Sequence, residues 1–314
     1  MALARTAMFF HASFLEHKTG RHVECPERVS VIRTCMAGRG LTAQVEEIPP
    51  EPASVDEIAL IHSREYIQRV NAVAEAGGGW ADPDTLISPG TWSAALHAVG
   101  AACESAEGVV AGRFEKTFAL VRPPGHHAER SAARGFCVFN NIAVAAAKLL
   151  EDSAASRIAI LDFDVHHGNG TQHAFYGDGR VLFVSFHRHP FYPGTGASEE
   201  TGEGEGLGLT VNVPLASHTT PSEYLSLWRE VLAERVAPFA PGIILVSAGF
   251  DLYRHDPVAG LNFEVEDFRE IGAAIADTAD AVCGGRVASV LEGGYDLDAL
   301  GPCVEAYLEG LRAL

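Results

Sequence analysis

The sequence predicts a single α/β domain, residues 1–314, on a central, mainly parallel β-sheet flanked by helices on both faces. Three observations carry that expectation. Apolar runs of strand length alternate with helical patterns, the runs are apolar at nearly every position rather than every second one, and no repeat, linker or compositional break divides the chain. With 314 residues and 47% hydrophobic content the chain can bury a large core.

The elements follow in order. "TAMFF" (6–10) reads as the first strand, and "SVDEIALIHS" opens a helix with Ser54 and Glu57 in capping-box spacing. A helical pattern over 91–111 precedes the strand "TFALV" (117–121), and another over 139–151 precedes "RIAILDF" (157–163) and "VLFVSF" (181–186). The acidic, glycine-rich "TGEGEGLG" (201–208) leads into a strand-like segment, which makes it a surface loop rather than a phosphate loop. "TPSEYLSLWREVLAERV" is a helix with Thr220 as cap, Pro221 in the first turn and Glu223 three residues after the cap. The strands "GIILVSAG" (242–249) and "RVASVLEG" (286–293) then alternate with helical patterns over 264–282 and 298–312.

Composition excludes several classes. A formal charge of −18 disfavours a phosphate backbone as partner, so nucleic acid is not expected. The opening "MALARTAMFFHASF" is too short and interrupted for a secretory signal, and no apolar run reaches the roughly 18 residues of a membrane span, so a cytoplasmic protein without a membrane partner is expected. Cys25, Cys35, Cys103, Cys137, Cys283 and Cys303 form no CxxC pair, which fits reduced thiols and argues against a cysteine-held zinc.

The chemistry gathers where strands end: His126 and His127 in "VRPPGHH", Asp162, Asp164 and His166 in "DFDVHHGNG", His187 in "VSFH", Asp251 in "SAGFD" and Tyr295 in "LEGGY". Ligands of open α/β sheets bind outside the carboxyl ends of the strands, so these segments point at one crevice. Strand parity would place Asp162, Asp164 and His166 on one face. Asp164 and His166 with Asp251 from another strand make a three-ligand site with room for water, the open arrangement of catalytic zinc, although a mixed N and O set also accepts ferrous iron. Beside a metal, the tandem histidines are candidate general bases, and the Tyr295 hydroxyl, after a turn where backbone approaches closely, can donate to a developing oxyanion.

The motifs "RPPGHH", "GFCVFNN", "ILDFDVHHGNGTQ", "SFHRHPFYPGTG", "SAGFD" and "EGGY", with "HVECPERV" near the start, occur in an order that resembles the zinc-dependent histone deacetylase and acetylpolyamine amidohydrolase family. The resemblance implies an arginase-like fold, one catalytic zinc per chain and hydrolysis of an N-acyl amine such as acetyl-lysine. By that resemblance Asp164, His166 and Asp251 are the zinc ligands, His127 the general base, His126 a second histidine held by Asp162, and Tyr295 the residue that polarises the carbonyl. Gly135, Phe136, Tyr192, Val258 and Gly294 match a narrow tunnel for a lysine-like stem, and Asp162, Asp164, His166, Ser185 and Phe186 match a structural potassium site. Asn169 stands where some members carry an acid behind the second histidine, as in the class II branch. Val258 lies where polyamine-specialised relatives place a gatekeeping acid.

The expected substrate is an acylated lysine peptide or protein, or a small acylated amine. An acetylpolyamine deacetylase is the nearest alternative. A binuclear manganese ureohydrolase is disfavoured by Tyr253 in "FDLY", where an Asp-x-Asp pair belongs, and a silent acyl-binding module by the intact His127 and Tyr295. A homo-oligomer is compatible with the sequence.

Overall fold

The apolar runs pair as parallel neighbours. The computed structural model describes residues 6–40 and 45–314; residues 1–5 of the stretch weighed as a signal lie outside the described residues. Its strands are β1 (Thr6–Phe9), β2 (Val45–Ile48), β3 (Gly79–Trp80), β4 (Leu86–Ile87), β5 (Lys116–Ala119), β6 (Ile158–Asp162), β7 (Val181–Arg188), β8 (Thr210–Leu215), β9 (Ile243–Ala248) and β10 (Val287–Leu291). Eight form one sheet in the order β2, β1, β5, β10, β9, β6, β7, β8, with every neighbouring pair parallel. β3 and β4 form a separate antiparallel pair.

Burial explains which strands were legible. β5, β6, β9 and β10 are buried along their whole length, as a sheet covered on both faces requires. β2 is an edge strand, "VEEI", whose Glu46 and Glu47 face outward, so it lacks the apolar signature. Helices 91–110 and 141–151 pack together against the sheet, and helices 27–38, 265–283 and 300–310 pack on one another. Among the described residues no helix is long and apolar enough to cross a membrane.

Local signals also decide helix ends. Thr220 accepts from Glu223 N and the Glu223 carboxylate accepts from Thr220 N, a closed capping box. The Ser54 box is equally complete, yet its helix spans only Val55–Ile58. The chain breaks because His62 turns into the core, its Nδ1 donating to Glu129 O (2.9 Å) and its Nε2 accepting from Asn140 N (2.9 Å). Ser63 then caps a second helix, Arg64–Glu75.

The chain leaves β5 and rejoins the sheet at β6, three positions away, and β10 and β9 later fill the gap. The connection from β5 to β6 carries His126, His127, Gly135 and Phe136. Because all four strands are parallel, their carboxyl ends share one edge, at the reversal of strand order where ligands bind.

Candidate active site

β6 ends at Asp162, and the chain then turns on its own carboxylates: Asp162 Oδ1 accepts from Asp164 N (3.1 Å) and Asp164 Oδ1 from His166 N (2.9 Å). The strand parity expected to align Asp162, Asp164 and His166 therefore stops at the first of them. These side-chain turns replace it, because a short acidic side chain can cap the backbone two residues on. They separate the two aspartates: Asp162 Oδ2 faces His126 Nδ1 (2.9 Å), while Asp164 meets His166.

Asp251, from the loop after β9, completes the second group. One ligand atom each from Asp164, His166 and Asp251 lies within 4.8 Å of the others, and all three residues are buried. His166 Nδ1 is 3.0 Å from both Asp164 Oδ1 and Asp251 Oδ2. Asp164 Oδ2 accepts from Gly293 N (2.8 Å) and Asp251 Oδ1 from Val165 N (3.0 Å), which fixes both carboxylates from the backbone. Asp251 Oδ2 is buried with no hydrogen bond of its own, since the contact with His166 is not aligned with a donor N–H. A Cβ on Gly249 would collide with Asp164, and one on Gly293 would stand 2.5 Å from Asp251 Oδ2, so the space around these oxygens is kept by glycines.

An orphaned buried carboxylate oxygen, a ring nitrogen and a second carboxylate suit a divalent cation with open positions. The electrostatics agree. Burial and then Asp164 push the Asp251 carboxyl up to about 7, against the opposing contact with His166. Burial opposes charge on His166, but its contacts with Asp164 and Asp251 prevail and push it up to about 9.

Two histidines back the cluster. His126 is buried, yet Asp162 and Asp164 outweigh burial and push it up to about 10. His127 Nδ1 lies 2.8 Å from Asn169 Oδ1, and burial, followed by the nearby His126 and His166, holds it well below its ordinary value. His127, His166 and Tyr295 line a cavity of about 220 Å³ with Asp84, Gly135, Phe136, Phe191, Tyr192 and Val258. Its walls are aromatic: the Tyr192 ring stands edge-on to His127 (5.1 Å, 90°), and Phe136 edge-on to Tyr295 (5.7 Å, 88°). Gly135 has φ +52°, and a Cβ there would collide with His127 Cδ2.

Gly294 is not among the lining residues; its α-carbon faces Phe250 and Leu300 behind Tyr295, and its carbonyl accepts from Arg28 Nε (2.7 Å). His187 also stays outside, braced between Ser185 Oγ (2.9 Å) and Gly196 O (2.8 Å). The Ser185 hydroxyl, one of the potassium positions, thus faces a histidine nitrogen, and Phe186 is buried against Tyr224 and Trp228. Tyr253 is half-buried beside His255. All six cysteines are free.

Several supports were assigned no role from the sequence, although Glu292 lies in "EGGY" and Glu24 and Arg28 in "HVECPERV". Glu292 Oε2 accepts from Gly125 N (2.7 Å) and His126 N (3.1 Å), and Oε1 accepts from Ser247 Oγ, joining three strand ends. Asp256 Oδ2 accepts from Tyr295 N (2.7 Å) and its Oδ1 from Val258 N (2.9 Å). Arg28 stacks on the Tyr295 ring (4.6 Å) and donates to Glu292 O, held in turn by Glu24. Asp84 and Phe191 join the wall itself; Phe191 adjoins Tyr192 in "HPFYPG", the one signal that could have found it.

Comparison with known proteins places this geometry among relatives. The family model described as "Histone deacetylase domain" matches residues 22–311. The chain is 38% identical over 300 residues to a "Probable deacetylase" of Archaeoglobus fulgidus, covering 95% of this chain and 83% of that protein. It is 34% identical over 329 residues to the "Histone deacetylase-like amidohydrolase" of Pseudomonas aeruginosa, covering 99% of this chain and 87% of that one. The crystal structure of the HDA15 HD domain superposes with a TM-score of 0.93 at 33% identity, over 99% of this chain and 88% of that chain.

Proposed function

Because this chain belongs to the histone deacetylase family and is thereby a deacetylase of the amidohydrolase type, we propose that it works with one zinc ion held by Asp164, His166 and Asp251, and releases the acyl group of an acylated lysine or a related acylated amine. The observation that carries the metal reading is the buried Asp251 Oδ2 without a hydrogen bond, grouped with Asp164 and with His166, which lines the cavity. When bound, the ion would supply Lewis acidity at the acyl carbonyl and make water acidic near neutral pH.

The chain's own residues do the rest. His127, neutral and hydrogen-bonded through Nδ1 to Asn169, takes a proton from the attacking water at Nε2 and later returns one to the leaving amine. His126, paired with Asp162, supplies fixed positive charge beside it. Tyr295 donates its hydroxyl hydrogen to the carbonyl oxygen as charge develops there, and its phenol is held far above its ordinary value by burial, so it stays a donor. Phe136, Phe191 and Tyr192 exclude water and grip the methylenes of the amine, each worth about 0.8 kcal/mol when buried.

Acyl-lysine is the first substrate reading, since Val258 leaves the mouth of the cavity apolar on its side. An acetylated polyamine is the second, favoured by Asp84, whose carboxylate joins the wall next to Asp82 and would attract a cationic chain. Turnover of acetyl-lysine peptides, longer acyl-lysines and acetylated polyamines decides between them. Activity on acetylated polyamines alone would reverse the order.

A further inference from the structure

His127 can act as a base in only one tautomer: the hydrogen must sit on Nδ1 so that the Nε2 lone pair is free. Its Nδ1 partner is Asn169 Oδ1 at 2.8 Å. A carboxylate would present an acceptor whichever way it turned. An asparagine does so in one of its two orientations, and a half-turn of the amide would offer a donor instead. Something must therefore fix the amide.

Glu129 stands on the other side of it. Its Oε1 is 2.5 Å from Asn169 Nδ2, and an ionised carboxylate only accepts. With the amide turned, the Asn169 oxygen would face the carboxylate and its NH₂ would face the Nδ1–H of His127, two repulsive contacts at once. Asn169 Nδ2 also reaches His127 O (3.4 Å) in the same orientation. Glu129 is itself anchored: its N–H donates to Ala132 O (2.9 Å), its carbonyl accepts from His62 Nδ1 (2.9 Å), and its carboxylate meets His173 Nδ1 at 2.8 and 2.7 Å. Asn169 is buried in the first turn of helix 169–175 and has no other side-chain partner among the described hydrogen bonds.

We propose that Glu129 is a positioning residue for the catalytic base: acting through the amide of Asn169, it selects the Nδ1-protonated tautomer of His127. The proposal rests on His127 being the proton acceptor. The alternative is that Glu129 and His173 merely pin helix 169–175 to the loop after His127.

A reciprocal exchange separates the two. Glu129→Gln can donate to Asn169 and so permits the turned amide; kcat is expected to fall on the order of 10²-fold, with KM little changed and metal content retained. Asn169→Asp sets two carboxylates against each other and also lowers kcat. The double variant E129Q/N169D restores an acceptor toward His127 and a donor toward that acceptor, and most of the lost kcat is expected to return. Nitrogen-15 NMR of the imidazole should show Nε2 protonation of His127 rising in E129Q and reverting in the double variant. Losses that multiply in the double variant, or wild-type kcat and an unchanged tautomer in E129Q, overturn the proposal. If E129Q does not fold or loses metal, Glu129→Ala, which also leaves the Asn169 amide free to turn, decides by the same NMR readout: Nε2 protonation of His127 supports the proposal and an unchanged tautomer overturns it. His127→Ala, run alongside, must be inactive. Turnover in that variant overturns the base assignment and this proposal with it, whereas an inactive H127A beside a normal E129Q removes this proposal alone.

Discussion

His126 and His127 are consecutive residues with ring centroids 4.0 Å apart, and they titrate in opposite directions. Burial disfavours charge on both. Asp162, 2.9 Å from His126 Nδ1, together with Asp164 overrides it and carries His126 up to about 10, whereas His127 meets a neutral amide, with His126 and His166 beside it adding to the effect of burial, and falls well below its ordinary value. Environments that drive two like groups apart assign them different tasks, one a fixed charge and the other a base.

That division predicts how substitutions separate metal from turnover. His127→Ala and Tyr295→Phe should keep the metal and lose on the order of 10²-fold or more in kcat. Asp251→Ala leaves two ligands and should lose both metal and turnover. Elemental analysis and turnover on the same samples check this, and normal turnover in metal-bearing H127A would contradict the base.

Gly135→Ala tests the cavity wall. The added methyl would collide with His127 Cδ2, stand 3.0 Å from Tyr192 Cε1 and require an unfavourable φ of +52°. Displacing the base by a fraction of an ångström should cut kcat/KM on the order of 10²-fold while metal content is unchanged. Wild-type kinetics in this variant would mean that His127 has more freedom than its packing indicates.

The stretch "DFDVHHGNG" shows where sequence reading succeeds and stops. Residue type and position after an apolar strand were enough to single out Asp162, Asp164 and His166, because buried charge at a strand end needs a partner. Strand parity was the wrong geometry, since each aspartate caps the backbone two residues later and turns the chain. Glu292 lies within the quoted "EGGY", but its role, like those of Asp256 and Glu129, was not legible because each acts by accepting from backbone N–H or amide groups brought close only by folding. A lone Glu or Asp at such a position leaves no periodicity behind. The hairpin of β3 and β4, two residues per strand, is too short to leave a periodic pattern, although its loop reaches the site through Asp84 in the cavity wall and through the hydrogen bond from Phe136 N to Thr85 Oγ1 (3.0 Å).

Acid sensitivity should trace to histidines buried as neutral rings. Burial pushes His62 down to about 4, and it does the same to His167, about 4, and His187, about 3. The unfolded chain binds these protons first, so stability is full above about pH 6.5 and falls as pH drops toward 4, by ~3 kcal/mol for His62. His62→Gln can still donate to Glu129 O and accept from Asn140 N without titrating. Denaturant unfolding at several pH values between 7 and 4 should give a shallower slope for H62Q than for the wild type. Equal slopes would show that His62 does not carry the effect.

The central claim is one catalytic ion held by Asp164, His166 and Asp251. Its most direct test is titration of metal-stripped protein with zinc while acetate release from an acetyl-lysine peptide is followed. The predicted result is no turnover without metal and a linear rise that stops at one equivalent per chain. Turnover by the stripped protein, or a rise that continues to two equivalents, would contradict it.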